Sequence, residues 1–256
     1  MFVGLKNIEY KEYMKEIFVS GTCRATNVVY DGREKITAIH SQRFFDAPNI
    51  NFLGNFTNVK GHIQFIKFLQ GKIELPESIQ RLRFPFMTIP LLRGEYHSVP
   101  ERIEIIRTLL AKCDIFLFEI CSRKNYMIDF YGIDKEITVE DCVNNDNKTP
   151  YTKDSFEDIY SDIDTLCKLL PKGSKVILQT HFRLDIITGD KNNYIESREI
   201  IYNAVKKYCE ENPSVKHFDP SYLLRDNRDY MKDNEHFNLS KIDCIFNYLY
   251  TNYIAE

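Results

Sequence analysis

Asp233-Asn-Glu-His236 places a carboxylate three residues before an imidazole, just ahead of Phe237-Asn-Leu-Ser240 and an apolar C-terminal stretch. That spacing suits an orienter and a base: a carboxylate that holds one ring nitrogen leaves the other free to take a proton from a hydroxyl or thiol. A nucleophile for such a base stands far upstream. Ile17-Phe-Val-Ser20 runs into Gly21-Thr-Cys-Arg-Ala25, the pattern of a strand entering a tight turn and then a helix, where backbone N–H groups can stabilise an oxyanion. In this reading Thr22 attacks an acyl carbon, His236 takes and returns the proton, and Asp233 holds His236. Cys23 is the alternative nucleophile, because a thiolate is the stronger one when it forms. A turn that attacks nothing is the third reading of the same residues.

These residues need a scaffold that brings the two ends of the chain together. Short apolar, β-branched or aromatic runs at 17–20, 36–40, 50–53, 114–120, 175–180 and 215–219 read as strands. Between them lie stripes of helical period: Val59, Ile63, Ile66 and Leu69; Ile103, Ile106 and Leu110; and Phe156, Ile159, Ile163, Leu166 and Leu170, closed by Pro171-Lys-Gly173. A helix over 195–211 is stopped by Asn212-Pro213, and the last helix carries Ile242, Ile245, Phe246, Leu249 and Tyr253 on one face. This alternation predicts a single α/β domain over 1–256, a three-layer α/β/α doubly wound parallel sheet. Two stretches break the pattern. Phe84 to His97, rich in Pro and aromatics, reads as an apolar wall or lid, and 125–153 reads as an insertion ending in a loop at Asn144-Asn-Asp-Asn-Lys-Thr-Pro150.

In an open parallel sheet, ligands gather outside the carboxyl ends of the strands. Gly21, Thr22, Cys23 and Arg24 follow the first strand, Gly54 and Asn55 the third, Ser122, Arg123 and Asn125 the fourth, and His181 and Arg183 the fifth. All are expected to share one cleft with Asp233 and His236. Glu119, at the end of a strongly apolar strand, is costly to bury alone, so it either reaches the cleft or meets Arg24, Arg123 or Arg183. His181 is either a binding residue or a satisfied core histidine.

Composition narrows the partners. A formal charge of -3 with short, interleaved basic runs gives no footprint for nucleic acid. Seven cysteines without a C-x-x-C pair fit reduced thiols better than disulfides or a thiolate metal site, and His40, His62, His97 and His217 share no metal-ligand spacing. With no basic leader and no run approaching the ~20 apolar residues of a membrane span, the expectation is a cytoplasmic protein with no membrane insertion. Oligomeric state leaves no mark in the sequence.

The Gly21-Thr-Cys-Arg-Ala25 and Asp233-x-x-His236-Phe-Asn blocks resemble the first and last conserved blocks of the SGNH hydrolase superfamily, most nearly its GSCFA branch. Phe218-Asp-Pro-Ser-Tyr222 is similar to that branch as well. The resemblance implies a flavodoxin-like, SGNH hydrolase-like fold. It also implies an esterase or O-acyltransferase acting on an acylated carbohydrate or similar small ester, without a cofactor. A related capsule-biosynthesis group with a similar Gly-x-Cys turn is associated with coenzyme A, which leaves acyl-CoA open as donor. Thr22 stands where the family has its nucleophilic serine, and its methyl group crowds the attack; the family's neighbouring cysteine, here Cys23, is not the attacking group. Gly54-Asn55 matches the oxyanion-hole glycine, whereas Cys121-Ser-Arg-Lys124 departs from the family's Gly-x-Asn-Asp, leaving Ser122 or Asn125 as substitutes. Those departures keep a second reading, a catalytically degenerate module that binds acyl-CoA or a sugar. A third, a sugar-nucleotide-dependent transferase, has against it the lack of Gly-x-Gly-x-x-Gly after the first strand and the position of Asp162-Ile-Asp164 on a helix flank.

Overall fold

Six successive residues, Ile115-Phe-Leu-Phe-Glu-Ile120, are all buried, and a strand buries both faces only in a sheet covered on both sides. The computed structural model describes residues 15–30, 36–40, 43–44, 47–51, 56–75, 104, 107–108, 110–128, 131–133 and 151–255. In chain order its strands are β1 (Lys15–Ser20), β2 (Ile36–His40), β3 (Arg43–Phe44), β4 (Ala47–Asn51), β5 (Ile115–Ile120), β6 (Lys124–Ile128), β7 (Tyr131–Ile133), β8 (Tyr151–Lys153), β9 (Lys175–Thr180) and β10 (Val215–Phe218). The helices are α1 (Cys23–Tyr30), α2 (Val59–Leu69), α3 (Phe156–Leu169), α4 (Leu184–Thr188), α5 (Glu196–Glu211), α6 (Pro220–Asp226) and α7 (Ile242–Leu249).

Five strands form the main sheet in the order β2-β1-β5-β9-β10, each neighbour parallel. Winding reverses between β1 and β5, so the carboxyl ends of these two strands flank the crevice where such sheets bind ligands. Alternate residues divide the core in two. Phe18, Phe116, Phe118, Val176 and Leu178 pack with Val59, Ile63 and Ile66 of α2, Ile159, Ile163 and Leu166 of α3, and Ile201 and Val205 of α5. Ile17, Val19, Ile115, Leu117 and Ile177 pack instead with Val28 and Val29 of α1 and with Ile242, Ile245 and Leu249 of α7. The architecture is therefore a three-layer α/β/α sandwich around a parallel sheet. No helix among the described residues is long and apolar enough to cross a membrane.

Local chemistry sets the boundaries. Ser155 caps α3 by accepting the Asp158 N–H while the Asp158 carboxylate accepts the Ser155 N–H, a reciprocal capping box. After α3, Gly173 takes a positive φ of 89° in the turn that leads into β9, a conformation that costs a residue without Cβ little. Asp219, expected to end the last strand, instead caps α6, its carboxylate accepting the Ser221 N–H; a short polar side chain satisfies a helix start better than it extends a strand.

Other expectations need correction. The run expected as a third sheet strand at 50–53 lies partly in β4, which pairs antiparallel with β3 in a separate two-stranded ribbon. A short apolar run states that a segment is extended but carries no record of its partner. Within 125–153, β6, β7 and β8 make a three-stranded antiparallel sheet of their own, in the order β7-β6-β8. The loop at Asn144 to Pro150, the stretch Phe84 to His97, and Ile103 and Ile106 lie outside the described residues; Leu110 is buried in the core.

Phe18 is the hub of one core layer, with ring centroids 6.0 Å from Phe65, 6.0 Å from Phe116 and 6.2 Å from Phe118. Its truncation leaves a cavity that neighbouring rings cannot collapse into, so Phe18→Ala should cost about 3–5 kcal/mol. Urea unfolding should show a lower midpoint with an unchanged slope; a loss below about 1 kcal/mol would mean that Phe18 is not central to the packing.

Candidate active site at the carboxyl edge of the sheet

β1, β5 and β9 end side by side, with Ser20 paired to Phe118 and Ile120 to Thr180. The Ser20 side chain at the end of β1 and the Glu119 backbone carbonyl of β5 are both bonded to α2. Fully buried His62 meets the Glu119 carbonyl through Nε2 at 2.8 Å and the Ser20 Oγ through Nδ1 at 2.9 Å. A carbonyl only accepts, so Nε2 carries the proton and Nδ1 accepts from the Ser20 hydroxyl. One imidazole thereby fixes the relative height of two strand ends.

Glu119 itself has no exposure. Its Oε2 accepts the Thr22 backbone N–H and the Thr22 hydroxyl, both at 2.6 Å, and its Oε1 accepts Arg24 Nε at 2.5 Å. Such close approach requires glycine at 21, where an added Cβ would lie 2.5 Å from Glu119 Cβ and 3.0 Å from Oε2. Arg24, also buried, reaches onward: its Nη1 donates to the Glu235 carbonyl at 3.1 Å. Burial alone would make the guanidinium easier to deprotonate, but Glu119 holds it above its ordinary value. Arg24 thus ties the turn after β1 to the Asp-x-x-His loop more than two hundred residues later in the chain.

In that loop the two partners are joined as their spacing predicts. His236 Nδ1 lies 2.9 Å from each Asp233 carboxylate oxygen, and Asp233 Oδ1 also accepts the Glu235 and His236 N–H groups at 2.8 Å. Chiefly the Glu235 N–H, and after it His236, hold the Asp233 carboxyl below its usual range. A carboxylate acceptor puts the ring proton on Nδ1 and leaves Nε2 as the basic nitrogen. Both side chains are about half exposed, at 46% each. Phe237 anchors the loop, its ring centroid 4.9 Å from that of Phe182 just beyond β9.

At the expected nucleophile the sequence and the geometry diverge. Thr22 occupies the turn between β1 and α1 as expected, but its hydroxyl and its N–H, expected to face His236 and an oxyanion, are both given to Glu119. A buried carboxylate must collect donors, and Thr22 and Arg24 are the donors at hand. Burial, reinforced by Glu119 and opposed by Arg24, pushes the neighbouring Cys23 thiol up. Burial and Glu119 push the Cys121 thiol up to about 12.

The remaining expected residues separate. Arg183 turns to Asp219 at 2.9 Å and Glu199 at 3.4 Å and lies 3.4 Å from the centroid of the Tyr202 ring, a network of its own. Ser122 binds the chain locally, its N–H donating to the Thr57 carbonyl at 2.8 Å and its Oγ accepting the Lys124 N–H at 3.0 Å. Asn125 is buried in β6 opposite Thr152, with no hydrogen-bond partner for Nδ2 among the described residues. Gly54 and Asn55 lie outside the described residues. His181 stays near Arg24, Arg198 and His236, 8% exposed, with no hydrogen-bond partner for Nδ1 among the described residues. Burial, then Arg24 and Arg198, push its imidazole down to about 2.

Arg198 was not singled out by sequence, although it falls in step with buried Ile201, Val205 and Tyr208 on α5, where an apolar residue would be expected. Its Nη1 donates to the Phe182 carbonyl at 2.8 Å, and its Nη2 lies 3.9 Å from Glu235 Oε1. Among the described residues no group of three or more His, Cys, Asp or Glu side chains is placed to hold a metal ion. Comparison with protein-family models gave no match, and comparison with curated proteins gave none.

Two outcomes are expected. Gly21→Ala drives a methyl group into Glu119, and such overpacking should cost about 1–3 kcal/mol, measured as a lower thermal midpoint; an unaltered midpoint would show that Glu119 can move away. His181 stays neutral when folded down to about 2 and His217 to about 4, whereas in the unfolded chain both protonate near their ordinary 6.5. The unfolded state then binds more protons below that value, so stability should be intact above it and decline as pH falls. His181→Asn should flatten the decline in urea midpoint between about pH 7 and pH 5, a window above the carboxylate range; an unchanged slope would assign the effect elsewhere.

Proposed function

We propose that this protein is an acyl-transfer enzyme of the SGNH type, an ester hydrolase or O-acyltransferase acting on an acylated carbohydrate or similar small ester. The observation that carries the reading is the Asp233–His236 pair, already bonded through Nδ1, in a loop that Arg24 ties to the turn bearing Thr22. The β2-β1-β5-β9-β10 order, with this turn at the point of reversal, supports an SGNH-like fold.

In the reaction, Thr22 gives up its hydrogen bond to Glu119 by rotation about χ1 and presents its hydroxyl to His236. His236 Nε2 takes the proton as Thr22 Oγ1 attacks the acyl carbon, and Asp233 stabilises the imidazolium that forms. Collapse of the tetrahedral intermediate breaks the ester C–O bond, with the proton passing from His236 to the leaving alkoxide. Water, or an acceptor hydroxyl in a transferase, then reverses the steps to release the acyl group. Glu119, paired with Arg24, positions the turn in this scheme.

One observation favours a second reading. With the Thr22 hydroxyl given to Glu119, the cleft can serve as a binding module for acyl-CoA or a sugar without turnover.

The test is hydrolysis of short p-nitrophenyl esters and of acetyl-CoA by wild type, Thr22→Ala, Thr22→Ser, Cys23→Ala and His236→Ala. Thr22→Ala and His236→Ala should lose about 10²-fold or more in kcat. Thr22→Ser should match or exceed wild type, because it keeps the hydroxyl and removes the crowding methyl, and Cys23→Ala should be unaffected. Wild-type turnover in His236→Ala would sink the mechanism, and loss confined to Cys23→Ala would move the attack to the thiol. Calorimetric binding of acyl-CoA or sugar with no wild-type turnover would establish the second reading.

A further inference from the structure

The cleft holds charge that the acyl-transfer steps do not use. Arg198 has a side chain only 11% exposed, yet its ion partner, the Glu235 carboxylate, is 3.9 Å away and itself 63% exposed. Among the described residues the two other buried guanidiniums at this edge are closely paired, Arg24 with Glu119 at 2.5 Å and Arg183 with Asp219 at 2.9 Å. Withdrawing a guanidinium from water without a close counter-ion costs stability, and in a cleft an anionic ligand can supply the missing partner.

Arg198 also has company. It and Arg24 converge on Glu235, Arg24 through the carbonyl and Arg198 through the side chain, and the next residue is His236. On the other side Arg198 holds the Phe182 carbonyl, next to His181, whose buried ring offers an Nδ1 with no hydrogen-bond partner among the described residues. Burial, and after it Arg24 and Arg198, hold this imidazole in its neutral form, so the residues leave one net positive charge that no buried carboxylate among the described residues cancels.

We propose that Arg198, with His181 and the outer edge of Arg24, forms a pocket for an anionic group, a carboxylate or a phosphate monoester, carried by the substrate close to its ester. The guanidinium fork supplies parallel N–H donors to two oxygens of the anion, and His181 Nδ1 meets a third polar atom of the ligand. The term substrate rests on the acyl-transfer reading, whereas anion binding does not. The specificity that follows is for acidic or phosphorylated esters over neutral ones of the same size.

Calorimetry at pH 7.5 with glucose 6-phosphate, glucuronate and glucose separates the sources of charge and needs no turnover. Wild type should bind one of the two anions and not glucose, and the preferred anion identifies the group. Arg198→Gln should weaken that binding about tenfold or more, as loss of a charge-assisted hydrogen bond predicts. Arg198→Lys, which keeps the charge without the fork, should fall between, and Arg225→Gln, at an exposed surface arginine, should bind as wild type does. Urea midpoints of each variant show whether it is folded; if Arg198→Gln is not, Arg198→Lys carries the comparison. Equal affinity in wild type and the Arg198 variants, or no anion binding by wild type, overturns the pocket. Ester turnover measured in parallel keeps the two ideas apart: anion binding without turnover sinks the acyl-transfer reading alone, and turnover without anion binding sinks the pocket alone.

Discussion

A carboxylate with no contact with water, Glu119, is the constraint on which the mouth of the sheet depends. It is the penultimate residue of a central strand whose other residues are apolar and buried, so every lone pair must be met by the protein. Thr22 meets one oxygen twice and Arg24 the other. Removing any of these partners would leave a buried charge or donor unmatched, which is far costlier than the modest net gain from making the pair. The glycine at 21 follows from the same requirement, since only a residue without Cβ lets the turn settle onto the carboxylate.

From that point the organisation spreads in two directions. Inward, His62 binds the Glu119 carbonyl and Ser20, so the ends of β1 and β5 and the start of α2 behave as one polar unit set into an aromatic core. Outward, Arg24 carries the connection to Glu235, which places the Asp233–His236 loop over the same edge. The loop needs no help to orient its histidine, because Asp233 accepts both the ring proton and two backbone N–H groups within four residues. What it needs is position, and a buried arginine supplies it. The Asp233–His236 pair is thus local in its geometry and non-local in its placement.

Much of the fold is legible in the sequence. The stripe Ile159, Ile163 and Leu166, closed by Pro171-Lys-Gly173, appears as α3 and its turn, because period, cap and stop signal agree within one short segment. The strands at 17–20, 36–40, 114–120, 175–180 and 215–219 appear in the parallel sheet within a few residues of their expected bounds. The run at 50–53 misled, because pairing partners are chosen across the chain and a few apolar residues do not encode them. In the site, Asp233 and His236 were legible together since three residues separate them. The alternatives for Glu119 were equally visible, but nothing in the sequence could choose Arg24 over Arg123 or Arg183.

By itself, then, the sequence determined the elements: which segments are helical or extended, where they stop, and that a carboxylate and an imidazole share one turn. Those are properties of neighbours in the chain, governed by period, capping and spacing. Only the tertiary structure decided who meets whom across the fold. It gave the Thr22 hydroxyl to Glu119 instead of His236, sent Arg183 away to Asp219, and set Arg198 beside the cleft. Each of these outcomes follows from a buried charge seeking the nearest partner in space, and distance in space is what a sequence does not state.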